Sequence, residues 1–375
     1  MSEYQIIAAR PEFQEQILEL RRSAYETEFA DAPEYMAWKY GQNPYIGEPI
    51  LYLALDAGGN VAGMRGCYGT RWRTAGGPVV IPCADDFAIA RAHRNKGLMT
   101  AIMRFALEDL ARRGYDYVLN TSGGRVTVLQ SLAMGWKSVG AMEPMTRTGW
   151  RRRVQDSLRP RVRGRRVLWR LAHVSNELRH GDERVFERLD RSGHTTTRSG
   201  LRIASEKHAR AEAMAELAAR LPYDGRIRGL HDAAFFAWRC RNPSREYRFV
   251  YAERDGRLEG YLLLARSRSY REPKLPFNVA DWEGSDAGLR AELLHHALSR
   301  GGAKDIGVWT GTLGSEDRAT LKRFGFRPSL LDQQARGMPC VLLKKLVPGG
   351  EWSLGGTPAV DRSHWDVRLI DSMHG

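Results

Sequence analysis

The sequence predicts a mixed α/β protein, two related domains in tandem, on the strength of an internal repeat and a repeated order of strands and helices. Self-similarity is the first signal. The segment Asp31-Ala-Pro-Glu-Tyr-Met-Ala-Trp38-Lys39-Tyr40-Gly-Gln-Asn43-Pro44 returns as Asp232-Ala-Ala-Phe-Phe-Ala-Trp238-Arg239-Cys240-Arg241-Asn242-Pro243. Both copies carry an aromatic-Xaa-Ala-Trp-basic core followed by Asn-Pro.

Each copy opens with a helical stretch. Phe13, Ile17, Leu18 and Leu20 mark the first, and Ala211, Met214, Leu217 and Leu221 the second, at spacings of three and four. After the tryptophan motif comes a hairpin, Leu51 to Gly63 and Phe249 to Gly260, with Asp and Gly between apolar runs. A helix follows (Thr100 to Arg113; Ala287 to Arg300), then a strand (Tyr115 to Asn120; Asp305 to Trp309). A further helix (Val126 to Met134; Asp317 to Arg323) ends in a Gly-aromatic step, Gly135-Trp136 or Gly325-Phe326. The domains therefore read as residues 1–146 and 200–345. Residues 147–199 read as a linker with a helical face of Val167, Leu168, Leu171, Val174 and Leu178, and 346–375 as a tail packed on a domain or partner.

Composition narrows the class. A chain of 375 residues suits two cores. No apolar run approaches the roughly 18 residues of a membrane span. Met1 to Phe13 lacks the basic region and apolar stretch of a secretory leader, so a cytoplasmic protein is expected. The four cysteines, Cys67, Cys83, Cys240 and Cys340, lie far apart without metal-type spacing. Reduced thiols are expected, with neither a cysteine nucleophile nor a metal site. A net charge of +14 favours anionic ligands.

One stretch gathers the features of an anion cradle. The apolar run Phe87-Ala88-Ile89 leads through Arg94-Asn95-Lys96-Gly97-Leu98-Met99 into the amphipathic helix that Thr100 begins. Helix N-termini bind phosphate because their first N–H groups lack partners and the dipole is positive there. Gly97 permits close approach of the ligand to the backbone, and Arg94 and Lys96 add charge.

This stretch resembles the signature of the GNAT superfamily of N-acyltransferases: a strand, Arg/Gln-Xaa-Xaa-Gly-Xaa-Gly/Ala, and a helix. The resemblance covers residues 1–146 well and 200–345 more weakly. It implies that Arg94 to Met99, with Thr100, hold the pyrophosphate of acyl-CoA, the co-substrate, acetyl-CoA or a longer ester. It further implies that Phe87, Ala88 and Ile89 meet pantetheine, and that Asn120 lies near the thioester. Two positions depart from the pattern. Met99 stands where Gly or Ala is usual, and Ser131 replaces the tyrosine many relatives use as general acid. In the second copy the corresponding stretch, Val279 to Leu289, carries Asp281, Glu283 and Asp286, and acids at a helix start repel pyrophosphate. Only the first domain is expected to bind CoA.

Acylation of an amine needs a proton acceptor. Asp86 and Asp85 precede the pantetheine strand and are the catalytic candidates, with a water-mediated route beside them. Asp86-Phe87 has a counterpart in Asp281-Trp282, which favours a structural part for that pair. Trp38 recurs as Trp238 and so reads as packing as well as substrate contact. Tyr40 faces Cys240 in the alignment and is the better candidate for the acceptor.

Between Arg147 and Arg170 stand ten arginines against one acid, Asp156, interleaved with Trp150, Leu158 and Trp169. A solvated linker, a helix resting on anionic lipid at the inner membrane face, and a nucleic-acid contact compete here. The last is weakest because no reading motif accompanies the charge. The expected activity is direct acyl transfer to a primary amine, either a lipid-borne amine such as a sphingoid base or an amino sugar. A non-catalytic acyl-CoA-binding or scaffold protein, whose basic linker contacts membrane or nucleic acid, is the alternative.

Overall fold

The computed structural model describes residues 4–25, 32–121, 124–149, 184–197, 200–268, 277–328 and 340–373. The first half comprises β1 (Gln5–Ala8), α1 (Gln14–Ala24), α2 (Pro33–Met36) running into a wider turn Ala37–Gly41, β2 (Ile50–Leu55), β3 (Val61–Thr74) and β4 (Gly77–Ile89). It continues with α3 (Leu98–Arg112), β5 (Tyr117–Asn120), α4 (Arg125–Ala133), β6 (Lys137–Ala141) and β7 (Pro144–Arg147). The second half comprises α5 (Val185–Arg191), β8 (His194–Thr196), β9 (Arg202–Glu206), α6 (Ala211–Arg220), β10 (Ile227–Gly229), α7 (Ala233–Arg239), β11 (Arg245–Arg254), β12 (Arg257–Ser267) and β13 (Phe277–Gly284). α8 (Ala287–Gly301), β14 (Ile306–Trp309), α9 (Ser315–Arg323), β15 (Arg327–Pro328) and β16 (Cys340–Lys345) follow.

Local chemistry accounts for these elements. α3 buries Leu98, Ile102, Met103, Ala106 and Leu110, apolar positions three and four apart, against the first sheet. The β11–β12 hairpin turns at Asp255 and Gly256, both at positive φ (51° and 75°), the conformation a two-residue turn demands. The mixed α/β reading with two similar halves is what the chain adopts.

The sheets cross the boundaries that the sequence suggests. The first runs β1-β2-β3-β4-β5-β16-β6, and the second β15-β7-β14-β13-β12-β11-β9-β8. β7 therefore leaves the first half to pair with β14, while β16 returns to lie between β5 and β6. Each sheet is completed by a strand from the other half. Residues 185–196, expected in the linker, belong to the second half: Val185, Phe186 and Leu189 enter its core, and β8 pairs with β9. Of the arginine-rich segment only Arg147 to Gly149 lies among the described residues, so its helical and membrane readings fall outside them.

The repeated tryptophans form the seam. The rings of Trp38 and Trp238 stack at 5.1 Å and 12°. Each indole N–H donates to the other's backbone carbonyl at 2.8 Å. The tail packs on both halves: Trp365–Asp366 pairs with β10, which also pairs with β3.

Because β5 and β6 are joined only through β16, residues 1–149 expressed alone are expected to lack cooperative thermal unfolding. Adding residues 184–375 in trans restores it. Calorimetry of the two fragments, apart and mixed, checks this, and a sharp transition from 1–149 alone would contradict it.

Candidate active site

The site begins where two strands part. β4 pairs in parallel with β5 only at Cys83 and Leu119, yet β4 continues to Ile89. A wedge opens from that point towards the loop before α3. Against β3 the same stretch bulges: Met64 faces Ala88 and Gly66 faces Asp85, which leaves Asp86 and Phe87 opposite Arg65 alone. Asp86 takes a positive φ of 50° there. The bulge lets two consecutive carboxylates reach one cation.

That cation is Lys39, with 0% of its surface exposed. Its ammonium donates to Asp85 at 2.6 Å and to Asp86 at 2.8 Å. Asp86 also pairs with Arg21 of α1 and accepts the Tyr40 hydroxyl at 2.6 Å. Burial alone would raise the Asp86 pKa, but Lys39 and Arg21 outweigh it and hold the carboxyl well below the ordinary range. Burial likewise disfavours the Lys39 charge, and Asp85 and Asp86 reverse that, keeping the ammonium protonated. A carboxylate held by two cations is a poor proton acceptor. Asp86 anchors the cluster, whereas Asp85 keeps 17% of its side chain exposed.

The loop before α3 leaves the start of that helix open. Gly97 caps α3 at φ 73° with no side chain bonded across the helix end, and a Cβ there would meet nothing within 4 Å. Arg94, Asn95, Lys96 and Thr100 are exposed, with Arg94 Nε donating to the Ile89 carbonyl at 3.2 Å. Leu98 and Met99 turn into the core, so Met99 does not block the N–H groups in spite of its size. His93 is held by the Tyr4 hydroxyl at 2.9 Å.

The second half closes both features. The Asp286 carboxylate accepts the Leu289 N–H at 2.8 Å and caps α8. Beyond Val279, the last β13 residue paired with β14, Arg368 from the tail donates to the Trp282 carbonyl at 3.1 Å. His231 bridges Asp281 and Asp371. Burial lowers its pKa, but the two carboxylates prevail and raise it to about 10.

Of the residues expected at the acceptor, Trp38 and Tyr40 are both buried and committed, one to Trp238 and the other to Asp86. Trp38 packs across the seam and Tyr40 within the Lys39 cluster, so neither side chain is free for an acceptor. Asn120 is buried at the end of β5, opposite Leu342 of β16. Phe87, Ala88 and Ile89 line the free side of β4, and the Phe87 carbonyl accepts the Tyr25 hydroxyl at 2.9 Å. Sequence reasoning missed Lys39, Arg21 and Tyr68. The Tyr68 hydroxyl is buried without a hydrogen bond, on β3 opposite Cys83, where the wedge begins. Cys83 Sγ lies 3.7 Å from Thr121 Oγ1 at the same apex. Burial raises the Tyr68 pKa well above its usual value, so the group is a neutral donor. A basic residue beside Trp38 in both copies was the one sequence signal for Lys39.

Asp86, with its depressed pKa, contributes stability that is full above the ordinary value of 3.8 and is lost as pH falls through the lower native value. Lys39→Met should cost about 3–5 kcal/mol at neutral pH, the typical result of stripping one partner from a buried pair. The deficit should narrow below the carboxylate range, where the wild type also loses the pair. Urea unfolding at several pH values measures this, and a pH-independent deficit would contradict it.

Comparison with known proteins agrees with this geometry. The family model described as an acetyltransferase (GNAT) domain matches residues 5–127. No curated protein matches the sequence. A probable N-acyltransferase from Enterococcus faecalis V583 is 11% identical, with TM-score 0.55, over 92% of this chain and 73% of its own. A GCN5-related N-acetyltransferase from Anabaena variabilis ATCC 29413 is 11% identical, with TM-score 0.56 over the same 92% and 73%. A tandem GNAT protein from the clavulanic acid biosynthesis pathway is 13% identical, with TM-score 0.53, over 93% of this chain and 100% of its own. At these identities the likeness is one of fold. Residues 5–127, which hold the wedge and the uncapped helix, match the acetyltransferase (GNAT) domain model, and the chain as a whole is similar in fold to a tandem GNAT protein.

Proposed function

We propose that this chain transfers an acyl group from a CoA thioester to a primary amine, and that only the first domain holds the donor. The observation that carries the reading is a contrast within one molecule. The α3 N-terminus is uncapped and opens onto an unpaired β4, whereas the α8 N-terminus is capped by Asp286 and its strand is met by Arg368.

In this reading the N–H groups at Leu98, Met99 and Thr100 face the pyrophosphate, with Arg94 and Lys96 adding charge. The free side of β4 from Asp85 to Ile89 pairs with the pantetheine amides as β5 would have done. The thioester reaches the apex near Cys83. The amine nitrogen attacks the carbonyl carbon; the C–N bond forms, the C–S bond breaks, and sulfur leaves as thiolate. Asp85 accepts the amine's surplus proton, directly or through water, and the thiolate is protonated from solvent. Tyr68 donates a hydrogen bond at the apex to the developing negative charge. Asp86 keeps Lys39 in place, and Lys39 orients Asp85. No acyl-enzyme is needed.

Thiol release from acetyl-CoA and palmitoyl-CoA, with a panel of small amines, amino sugars and sphingoid bases, tests the activity. Gly97→Asp, which sets a carboxylate at the open end of α3 in a left-handed backbone (φ 73°), should abolish CoA binding in calorimetry at a stability cost of only about 1 kcal/mol. Asp85→Asn should lower kcat/KM by about 10²-fold, the usual weight of a general base, without changing CoA affinity. CoA binding with no turnover on any amine would contradict the catalytic reading, and unchanged binding by Gly97→Asp would contradict the site.

A further inference from the structure

Helix α4 is apolar on both its faces. Val128 and Met134 pack against the core that α3 shares with the first sheet, and Ser131 is buried. Between them Leu129, Gln130, Leu132 and Ala133 face outward, with Leu129 65% and Leu132 39% exposed. A surface helix ordinarily turns polar or charged residues to water. Exposed leucines that stand singly need no explanation, but these have company. Lys344 of β16 donates to the Met134 carbonyl at 3.0 Å, at the C-terminal end of α4. The chain then runs to Leu346, which packs in the same cluster as Val128 and Met134, and to Val347, 50% exposed. Three of the four large apolar side chains exposed among the described residues therefore gather at α4 and the end of β16. The fourth, Val80, lies on β4.

The charge around this face identifies what covers it. No acid occurs from Tyr117 to Met142, through β5, α4 and β6, or from Cys340 to Gly350, through β16, in a chain whose residues are 27% charged. The same two stretches hold Arg125, Lys137, Lys344 and Lys345. Glu143, the next acid after β6, is paired with Arg318 and Arg362. An apolar helix face set in a basic, acid-free surround is complementary to an anionic bilayer. Its leucines enter the boundary between headgroups and acyl chains, and each nearby Lys or Arg is drawn to anionic lipid. The face also neighbours the site. α4 begins four residues after Thr121, whose hydroxyl lies 3.7 Å from Cys83 at the apex of the wedge.

We propose that the outer face of α4, together with Val347, rests on an anionic lipid bilayer, and that the acceptor is an amine borne by that bilayer. The choice of acceptor rests on the acyl-transfer reading above. The docking does not, because it is measured without CoA. The full chain is sedimented with vesicles of phosphatidylcholine alone and of phosphatidylcholine mixed with phosphatidylglycerol. Wild type should partition onto the anionic vesicles about tenfold more strongly than onto the neutral ones, and added salt should shrink the difference. Leu129→Ser combined with Leu132→Ser should lower that partitioning about tenfold and leave the melting temperature close to wild type, as changes at exposed positions do. Lys137→Gln combined with Lys344→Gln should lower it by a similar factor, about fivefold or less for each charge. Supplied with acetyl-CoA, the leucine pair should slow acylation of sphinganine in anionic vesicles about tenfold and leave acylation of hexylamine in solution unchanged. Equal binding to the two kinds of vesicle, or binding that the leucine pair leaves intact, overturns the docking. A melting temperature several degrees lower in the leucine pair means that the chain itself covers the face. A wild-type dimer that the leucine pair dissolves, seen by analytical ultracentrifugation, gives the face to a second copy. Either result overturns the proposal. Hexylamine acylated as fast as vesicle-borne sphinganine overturns the choice of acceptor alone. Absence of acylation with any amine overturns the acyl-transfer reading and that choice with it, and the vesicle result still decides the docking.

Discussion

Everything at this site depends on a strand pair that stops early. β4 touches β5 at one register position and then runs on with that edge unpaired. Backbone N–H and C=O groups in a protein interior need partners, so a wedge of this kind is stable only if something supports its flanks. The support here is ionic. Arg21 from α1 and Lys39 from the turn after α2 converge on Asp85 and Asp86, tying the first helices to the bulged side of β4. Remove those ties and the bulge has no reason to persist. The same interactions that hold the wedge open also fix the one carboxylate that retains solvent access.

The second copy keeps the fold and fills with its own side chains the positions that the first leaves open. Asp286 satisfies the helix end that Gly97 leaves bare. The tail delivers Arg368 and Asp371 to the strand and to His231, forming a buried network with Asp281, Glu283 and Asp366. Polar groups that a ligand would meet in the first half are met by protein in the second. Strand exchange makes this closed copy indispensable, because β16 completes the first sheet and β7 completes the second. The two halves are one folding problem.

Much of this was legible in the sequence, and the limits are physical. Hairpin turns, helix faces and the glycine at a helix start are local properties, written within a few neighbouring residues. The repeat at Trp38 and Trp238 was legible as well, though not its meaning, since two rings stacking across a seam leave the same trace as two rings in separate pockets. Strand exchange left no trace: β7 and β16 are short, and their partners are chosen by edges far away in the chain. The role of Asp86 was hidden for the same reason. Its partners Lys39 and Arg21 lie on other elements, and only their convergence reveals a carboxylate too firmly paired to act as a base. The helix start of the first domain and that of the second were told apart by charge alone, because capping is a one-residue event.

Amide hydrogen exchange with and without CoA tests the central claim most directly. Occupancy of the first wedge predicts slowed exchange at the β4 amides from Ala84 to Ile89 and at Leu98 to Ala101, with the matching stretch Ala280 to Leu289 unchanged. Protection confined to the second stretch, or to neither, would contradict it.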